Sequence, residues 1–188
     1  MTARDALIAG AIELTRRKGI AGTGVAELLV RCGVSRRTLY LNFPGGKPEL
    51  MAAATHVACS SISTMIREVS ADTPPPVAIR KFISWWKAAL QAGDLELGGP
   101  LLPAILGRDE APEAAAAARE VIAEWIDIIT SRLIEAGAGQ DTASSLATMV
   151  VATVEGALLL AIAQGSTDPL DRVERHLVEL AELHFGPT

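Results

Sequence analysis

The stretch from Gly33 to Phe43, GVSRRTLYLNF, constrains the fold of this chain more than any other. Ser35 is a favoured helix N-cap, and Val34 before it can pack on Leu39 as a hydrophobic staple over the first turn. Leu39 and Phe43 then share the inward face of a short helix. The outward side chains carry donors suited to phosphates and base edges: Arg36, Arg37, Tyr40 and the flanking Asn42. A short helix with a cationic outer face suits the major groove of DNA.

Charge is distributed unevenly along the 188 residues, whose net charge is -5. Residues 1 to 47 hold eight basic and three acidic side chains, a formal charge of +5, whereas the remainder holds nine basic and nineteen acidic ones. The N-terminal quarter can therefore bind phosphate without the rest of the chain adhering to the duplex. The hydrophobic fraction of 49% is enough for an ordinary core and excludes a disordered chain.

Two helical patterns precede this stretch. Apolar residues recur on one face of residues 3 to 18, and Gly19 ends that helix. After a loop from Ile20 to Thr23, residues 25 to 32 repeat apolar positions at i, i+3, i+4 and i+7 spacing, and Gly33 ends the second helix. Two helices, a turn containing glycine and a third short helix together predict a helix-turn-helix unit.

The run from Ile8 through Leu50 closely resembles the DNA-binding domain of TetR-family transcriptional regulators. The resemblance rests on motifs at matching spacing: Lys18-Gly19, Thr23-Gly24-Val25, Leu28, Cys32-Gly33-Val34-Ser35, Thr38-Leu39-Tyr40, Phe43-Pro44 and Lys47-Pro48-Glu49-Leu50. The Phe-Pro-Gly-Gly-Lys form at residues 43–47 is similar to the LmrA/YxaF branch. Gly24 stands where many members have Ser or Thr, and Asn42 replaces a frequent His.

The resemblance implies roles for the exposed residues of the short helix. Arg36 and Arg37 would contact base edges, Thr38 and Tyr40 would bind phosphate or thymine, and Lys47 would hold the DNA backbone. Because Arg is the commonest bidentate partner of guanine, these roles agree with its chemistry. The alternative is that Arg36 and Arg37 are only a solvated helix end.

Further helical patterns fill the rest of the chain. A long fourth helix is predicted from Pro48 to about residue 70, and in the family its movement transmits ligand binding. Helices follow at 77–92 and 112–135, with a loop at 93–103. We therefore predict an all-α fold of about nine helices. Residues 1–47 form the helix-turn-helix DNA-binding domain, and residues 48–188 form a helical ligand-binding and dimerisation domain.

The last two helices have the pattern of an interface. Residues 142 to 164 are apolar almost all round, and Asp168 is predicted to cap a final helix. In the family these two helices form a four-helix dimer interface. The final helix would contribute residues at 3, 4, 3 spacing: Leu170, Val173, Leu177 and Leu180. Packing within one chain is the alternative. Glu155 within the apolar helix would cost about 2.5–3.5 kcal/mol in a bilayer, so we expect no membrane span.

The C-terminal part contains bulky residues that suit a small-molecule site. Adjacent residues on a helix point about 100 degrees apart, so at most one of Trp85 and Trp86 faces the interior fully. An apolar or aromatic effector could be enclosed by these residues together with others: Trp125, Met65, Met149, the loop from Gly98 to Leu106, and Glu155 as a polar contact. The alternative is that Trp and Met only fill the core.

These patterns predict a dimeric, cytoplasmic regulator, most simply a repressor released from a palindromic operator by a small molecule. A constitutive DNA-binding dimer without a ligand response is the alternative. A protein-binding adaptor is a further rival, and no constellation of catalytic residues supports an enzyme. Cys32 and Cys59 lack metal-like spacing and are interpreted as core residues. We expect no cofactor and no metal, and the N-terminus lacks the apolar core of a signal peptide.

Overall fold

The computed structural model describes residues 1–186, and within them it contains nine α-helices and no strand. In chain order the helices are α1 (Ala3–Gly22), α2 (Val25–Cys32), α3 (Arg36–Asn42), α4 (Lys47–Ser70), α5 (Pro75–Ala92), α6 (Leu101–Leu106), α7 (Pro112–Glu135), α8 (Gln140–Gln164) and α9 (Asp168–Phe185). The predicted all-α fold class is confirmed.

The regular part of α1 ends at Gly19, as the sequence predicts. Gly19 has φ 74 and ψ 172, which are not helical angles, so α1 is kinked there. The residues that follow, predicted as a loop, form one more helical turn up to Gly22. The buried Thr23 hydroxyl donates to the Gly19 carbonyl oxygen at 2.8 Å and stabilises this kinked end.

Three boundaries after α4 differ from prediction. α5 begins at Pro75 because the first turn of a helix tolerates proline. The predicted loop at 93–103 contains the start of α6, whose residues Leu101 and Ala104 are buried. The N-cap position of α9 is Thr167 rather than Asp168, and its side chain makes no capping hydrogen bond.

The first compact unit consists of Met1–Ser61 and Gly99–Val121. Within it α1 contacts α2, α3 and α6. The core of this unit consists of nearly fully buried side chains: Leu7, Ala11, Leu14, Ile20, Leu28, Leu39, Phe43 and Leu50. The turn from α2 to α3 requires Gly33, because its φ of 63 lies in the left-handed region. This turn and core hold α3 at the surface of the unit.

The second compact unit consists of Ile62–Gly98 and residues 122–186. Within it α9 contacts both α5 and α8. Arg80 pairs with Glu182 at 3.1 Å, and Lys87 pairs with Asp171, so α5 and α9 run antiparallel. The predicted domain boundary at residue 47 stays a prediction, since the two compact units describe packing alone.

α8 buries one narrow apolar face, most of it alanine, within the second unit. The buried side chains are Ala143, Ala147, Val154, Ala157, Leu158 and Ala161. In residues 1–186 α8 is also the single helix that is long and apolar enough to cross a membrane, with 28% of the apolar window buried. One such helix is weak evidence for a membrane protein, because core and interface helices have the same composition.

Candidate nucleic-acid interface and internal cavity

α3 is a short helix that its own sequence defines at both ends. The Ser35 hydroxyl accepts a hydrogen bond from the Thr38 amide at 3.1 Å, which confirms the predicted N-cap. The amide of Phe43 donates to the Leu39 carbonyl oxygen at 2.8 Å. Because Leu39 and Phe43 are fully buried, the helix can expose only its opposite face.

The exposed face of α3 carries the two arginines of the predicted interface. Arg36 and Arg37 are exposed, and neither has a hydrogen-bond or ion-pair partner within residues 1–186. Several basic side chains in the first two helices are paired with acids: Arg31 and Arg17 with Glu13, and Lys18 with Glu27. The exposed Arg4 instead lies over the Phe43 ring, 5.1 Å from its centroid. α3 therefore presents two adjacent guanidinium groups that no acidic side chain neutralises, whereas several basic side chains of the flanking helices are neutralised.

The other predicted residues of α3 take part in local contacts. The Thr38 and Ser35 hydroxyls lie 2.9 Å apart, so Thr38 also supports the N-cap. The Asn42 amide nitrogen donates to the Thr38 carbonyl oxygen at 2.8 Å. Tyr40 is 48% exposed. A Cβ at Gly46 would lie 3.1 Å from the Tyr40 ring, so this ring rests on the glycine backbone. Tyr40 thus packs against the Gly46 backbone while about half of its surface stays exposed.

Lys47 is less available for contact with DNA than Arg36 and Arg37. Its ammonium nitrogen lies 3.1 Å from a carboxylate oxygen of Glu110, and its side chain is only 23% exposed. Glu110 lies in the turn between α6 and α7, also within the first unit. Sequence reasoning missed this pair because the two residues are 63 positions apart and no local pattern connects them.

A cleft of about 430 Å³ lies in the second unit, between the end of α4, the start of α5 and the end of α7. Its walls are largely apolar: Ile66, Val69, Pro75, Ile79, Phe82, Ile129, Leu133 and Val150. The charged residues in its lining are Asp72, Arg132 and Glu135, of which Arg132 and Glu135 form an ion pair at 2.7 Å. We call this space the outer cleft.

A smaller space of about 20 Å³, the inner cavity, is lined by Trp86, Trp125 and Glu155. Several apolar residues line both spaces, so the two are neighbours: Ile66, Phe82, Ile129 and Val150. Both tryptophans are buried, at 2% and 3% exposure. The inner cavity therefore has aromatic walls and one carboxyl group.

The two tryptophans differ in their hydrogen bonding. The Trp125 indole nitrogen donates to the Ser63 hydroxyl at 2.9 Å, and that hydroxyl donates to Glu124 at 2.8 Å. The Trp86 indole nitrogen is buried without a partner in the part of the chain that the structure describes.

Glu155, which is half-buried, likewise has no hydrogen-bond or ion-pair partner among the described residues. Burial raises its carboxyl pKa from 4.5 to about 7. The inner cavity thus contains two polar groups without internal partners.

The structure brings together three of the six residues predicted for a ligand site, namely Trp86, Trp125 and Glu155. Trp85 stacks on Phe82 with ring centroids 6.2 Å apart and lines neither space. Three further predictions also lie outside both linings: Met65, Met149 and the loop from Gly98 to Leu106. Sequence reasoning placed Phe82 in its helix but missed it as a lining residue, although it lies one turn before Trp86.

The predicted interface residues of α9 are partly occupied within the chain. Leu170 and Leu177 are buried in the second unit, and Val173 and Leu180 are half-buried. Large apolar side chains exposed on α8 and α9 are Met149, Leu159, Leu160 and Leu183. Leu170 and Leu177 thus hold α9 on its own chain, and the exposed set is free for another surface.

Comparison with known proteins gives two family matches that together span most of the chain. Residues 7–54 match the family described as bacterial regulatory proteins, tetR family. Residues 75–176, more than half of the chain, match the C-terminal domain described as transcriptional regulator LmrA/YxaF-like. The boundary of the first match lies within α4, so it includes the whole helix-turn-helix pattern.

Individual relatives match over nearly the full length. An uncharacterised HTH-type transcriptional regulator of Mycobacterium tuberculosis is 29% identical over 188 residues, which cover 96% of this chain and 95% of the relative. The HTH-type transcriptional regulator LmrA of Bacillus subtilis is 26% identical over 180 residues, covering 94% and 95%. The solved regulatory protein TetR of Rhodobacter sphaeroides has a TM-score of 0.85 at 20% identity, covering 94% and 97%, and shares the fold.

Proposed function

Because the chain belongs to the TetR family of transcriptional regulators, in its LmrA/YxaF-like branch, we propose that it is a repressor whose DNA binding responds to a small molecule. The family consists of DNA-binding regulators, and the chain is not an enzyme. The observation that carries the proposal is the exposed pair Arg36 and Arg37, which have no acidic partner within residues 1–186. In the major groove each guanidinium can bind guanine through two hydrogen bonds.

We assign six residues to the DNA interface, with different roles. Arg36 and Arg37 contact base edges, and the others contact phosphate or fix the helix: Thr38, Tyr40, Asn42 and Lys47. Thr38 and Asn42 act partly through α3 itself, since their side chains hydrogen-bond within it. Lys47 must exchange Glu110 for a phosphate oxygen when DNA binds.

The functional form that we propose is a homodimer on a palindromic operator. One α3 helix reads few base pairs, whereas two helices spaced by one DNA turn read two half-sites. The apolar residues exposed on α8 and α9 would be covered by the second copy. Leu170, Val173, Leu177 and Leu180 would support α9 at this interface. The proposed location is the cytoplasm, where such a dimer has access to chromosomal DNA.

The response to a ligand is proposed to arise in the outer cleft and the inner cavity. Their combined walls are apolar and aromatic, which suits a small molecule with an apolar or aromatic body. A ligand changes DNA affinity only if it binds one arrangement of the dimer more tightly than the other.

Selection of bound duplexes from a random DNA pool, with and without candidate effectors, tests the proposal. We expect a palindromic consensus whose enrichment falls when an effector is present. Binding should weaken steeply with salt, with a log-log slope of about 0.9 for each phosphate contact. A consensus that no effector changes would instead support a constitutive DNA-binding dimer, and no enrichment at all would contradict DNA recognition.

A further inference from the structure

The outer face of α3 carries a large aliphatic side chain among its polar ones. Leu41 is 71% exposed, whereas Leu39 two positions before it and Phe43 two positions after it are fully buried. Two positions along an α-helix correspond to a rotation of about 200 degrees, so Leu41 points almost directly away from the core of the first unit. Leu41 is therefore part of the surface that α3 offers to DNA.

Leu41 shares this outward direction with Arg37. Arg37 lies two positions before the buried Leu39 and four positions before Leu41, so Arg37 and Leu41 are neighbours on one ridge of the helix. Arg37 is exposed and has no acidic partner within residues 1–186. The ridge can therefore contact a hydrogen-bonding base edge and an apolar group at the same time.

The major groove contains an apolar group that suits Leu41, namely the 5-methyl group of thymine. The other bases present hydrogen-bond donors and acceptors there, which a leucine side chain cannot satisfy. Contact between Leu41 and a thymine methyl group removes apolar surface of both from water, whereas contact with the other bases would leave polar groups unpaired. The chemistry of Leu41 therefore favours thymine over the other three bases.

We propose that Leu41, in addition to the six residues assigned to the DNA interface, determines operator specificity by packing on the methyl group of a thymine in each half-site. This inference rests on the proposed function, because it requires α3 to lie in the major groove. Four residues of α-helix span about 6 Å, and successive base pairs lie about 3.4 Å apart. The thymine therefore lies within about two base-pair steps of the base that Arg37 contacts.

Removal of single methyl groups from the selected operator tests the contact. Uracil pairs with adenine as thymine does but lacks the 5-methyl group, so each thymine of the half-sites is replaced by uracil in turn. With the full-length wild-type protein, fluorescence anisotropy should show a thymine position at which uracil lowers affinity by about fourfold for each half-site changed, as expected for burial of one methyl group. In Leu41→Ala the same replacement should lower affinity by less than about twofold.

A cytosine pair separates the methyl group from the identity of the base. At the sensitive position, wild type should bind 5-methylcytosine more tightly than cytosine by a similar factor, and Leu41→Ala should bind the two equally. Leu106→Ala is the matched control, because Leu106 is 66% exposed on α6, outside the helix-turn-helix unit. This control should keep the full sensitivity to uracil. Both leucines are exposed, so circular dichroism should show that both variants are folded.

The outcomes distinguish this inference from the proposed function. If the selected half-site contains no thymine, or if no uracil replacement weakens wild-type binding, the inference fails while DNA recognition stands. A uracil effect that persists in Leu41→Ala would assign the methyl contact to another side chain, such as Tyr40, and would also overturn the inference. A sensitive thymine far from the base pair at which Arg37→Ala loses discrimination would contradict the shared ridge. If selection enriches no duplex, DNA recognition itself fails and the inference fails with it.

Discussion

α3 and the inner cavity both present polar groups without partners in the described chain, but they do so in opposite surroundings. Arg36 and Arg37 are exposed, so water solvates them and leaving them unpaired has little energetic consequence. The Trp86 N–H is buried and Glu155 is half-buried with a desolvated carboxyl, so leaving these groups unpaired destabilises the fold. Variants of α3 should therefore change DNA binding with little effect on stability, whereas variants of the cavity should change stability as well.

Glu155→Gln should give the largest effect, and the effect should depend on pH. The folded protein holds the Glu155 proton up to a pKa of about 7, whereas the unfolded chain loses it near 4.5. Between these values the folded state binds more protons, so the free energy of unfolding falls as pH rises. As pH rises from 5 to 8, we expect the free energy of unfolding of Glu155→Gln to increase by about 2.5 kcal/mol relative to that of wild type.

Urea unfolding at each pH measures this change. Asp127→Asn, on the exposed surface of α7, is the control, and its stability should run parallel to that of wild type across the same range. Parallel curves for Glu155→Gln and wild type would show that the carboxyl is solvated in the native state. The Glu155 carboxyl would then be solvated like the guanidinium groups of α3, and the two regions would not differ in this respect.

Arg37→Ala tests the expectation for α3, namely a change in DNA binding with little change in stability. A guanidinium that pairs with guanine contributes roughly 1–3 kcal/mol of discrimination at its base pair, so affinity for the selected operator should fall by that amount. Affinity for random DNA should fall much less, and the free energy of unfolding should stay within about 0.5 kcal/mol of wild type. Equal losses on operator and random duplexes, measured by anisotropy, would assign Arg37 to phosphate contact instead. Arg119→Ala, on the exposed surface of α7, is the matched control.

The fold and α3 could be predicted from sequence because their determinants are local. The Ser35 N-cap, the glycine at the end of α2 and the buried pair Leu39 and Phe43 all lie within one short stretch. Helical periodicity located the other long helices for the same reason. The short helix α6 was not predicted, because two prolines and the flanking glycines have low helix propensity and favour a loop. Packing of Leu101 and Ala104 in the first unit overrides that preference.

The cavity was predicted only in part because its lining comes from four helices. Trp86, Trp125 and Glu155 were identified as unusual residues, but their sequence positions do not determine which side chains share a space. Trp85 is adjacent to Trp86 and of the same residue type, so the sequence does not distinguish the two. In the structure Trp85 stacks on Phe82 and lines neither space. Pairs such as Lys47 and Glu110 have no sequence signal at all.

The two cavity tryptophans give a comparison inside the second unit. Trp125→Phe breaks the hydrogen bond to Ser63, whereas Trp86→Phe removes a donor that has no partner. Both changes remove the same volume from a buried side chain. We expect Trp125→Phe to destabilise the protein by about 1 kcal/mol more than Trp86→Phe, which is the net contribution of one hydrogen bond. Urea unfolding at pH 7 measures the difference, and equal losses would show that the Trp86 N–H is satisfied in solution.

Variants of Lys47 and Glu110 should have the smallest effect on DNA affinity. They test whether the ion pair between these two residues limits the contact of Lys47 with DNA. Glu110→Gln frees the ammonium group of Lys47, so affinity for all duplexes should rise two- to fivefold, equivalent to about 0.4–1 kcal/mol, as expected for a partly exposed ion pair. Lys47→Ala should lower affinity and reduce the salt slope by about 0.9. The double variant decides the mechanism. If Glu110→Gln still raises affinity when Lys47 is alanine, Glu110 acts by repelling phosphate; if the gain disappears, it acts by holding Lys47.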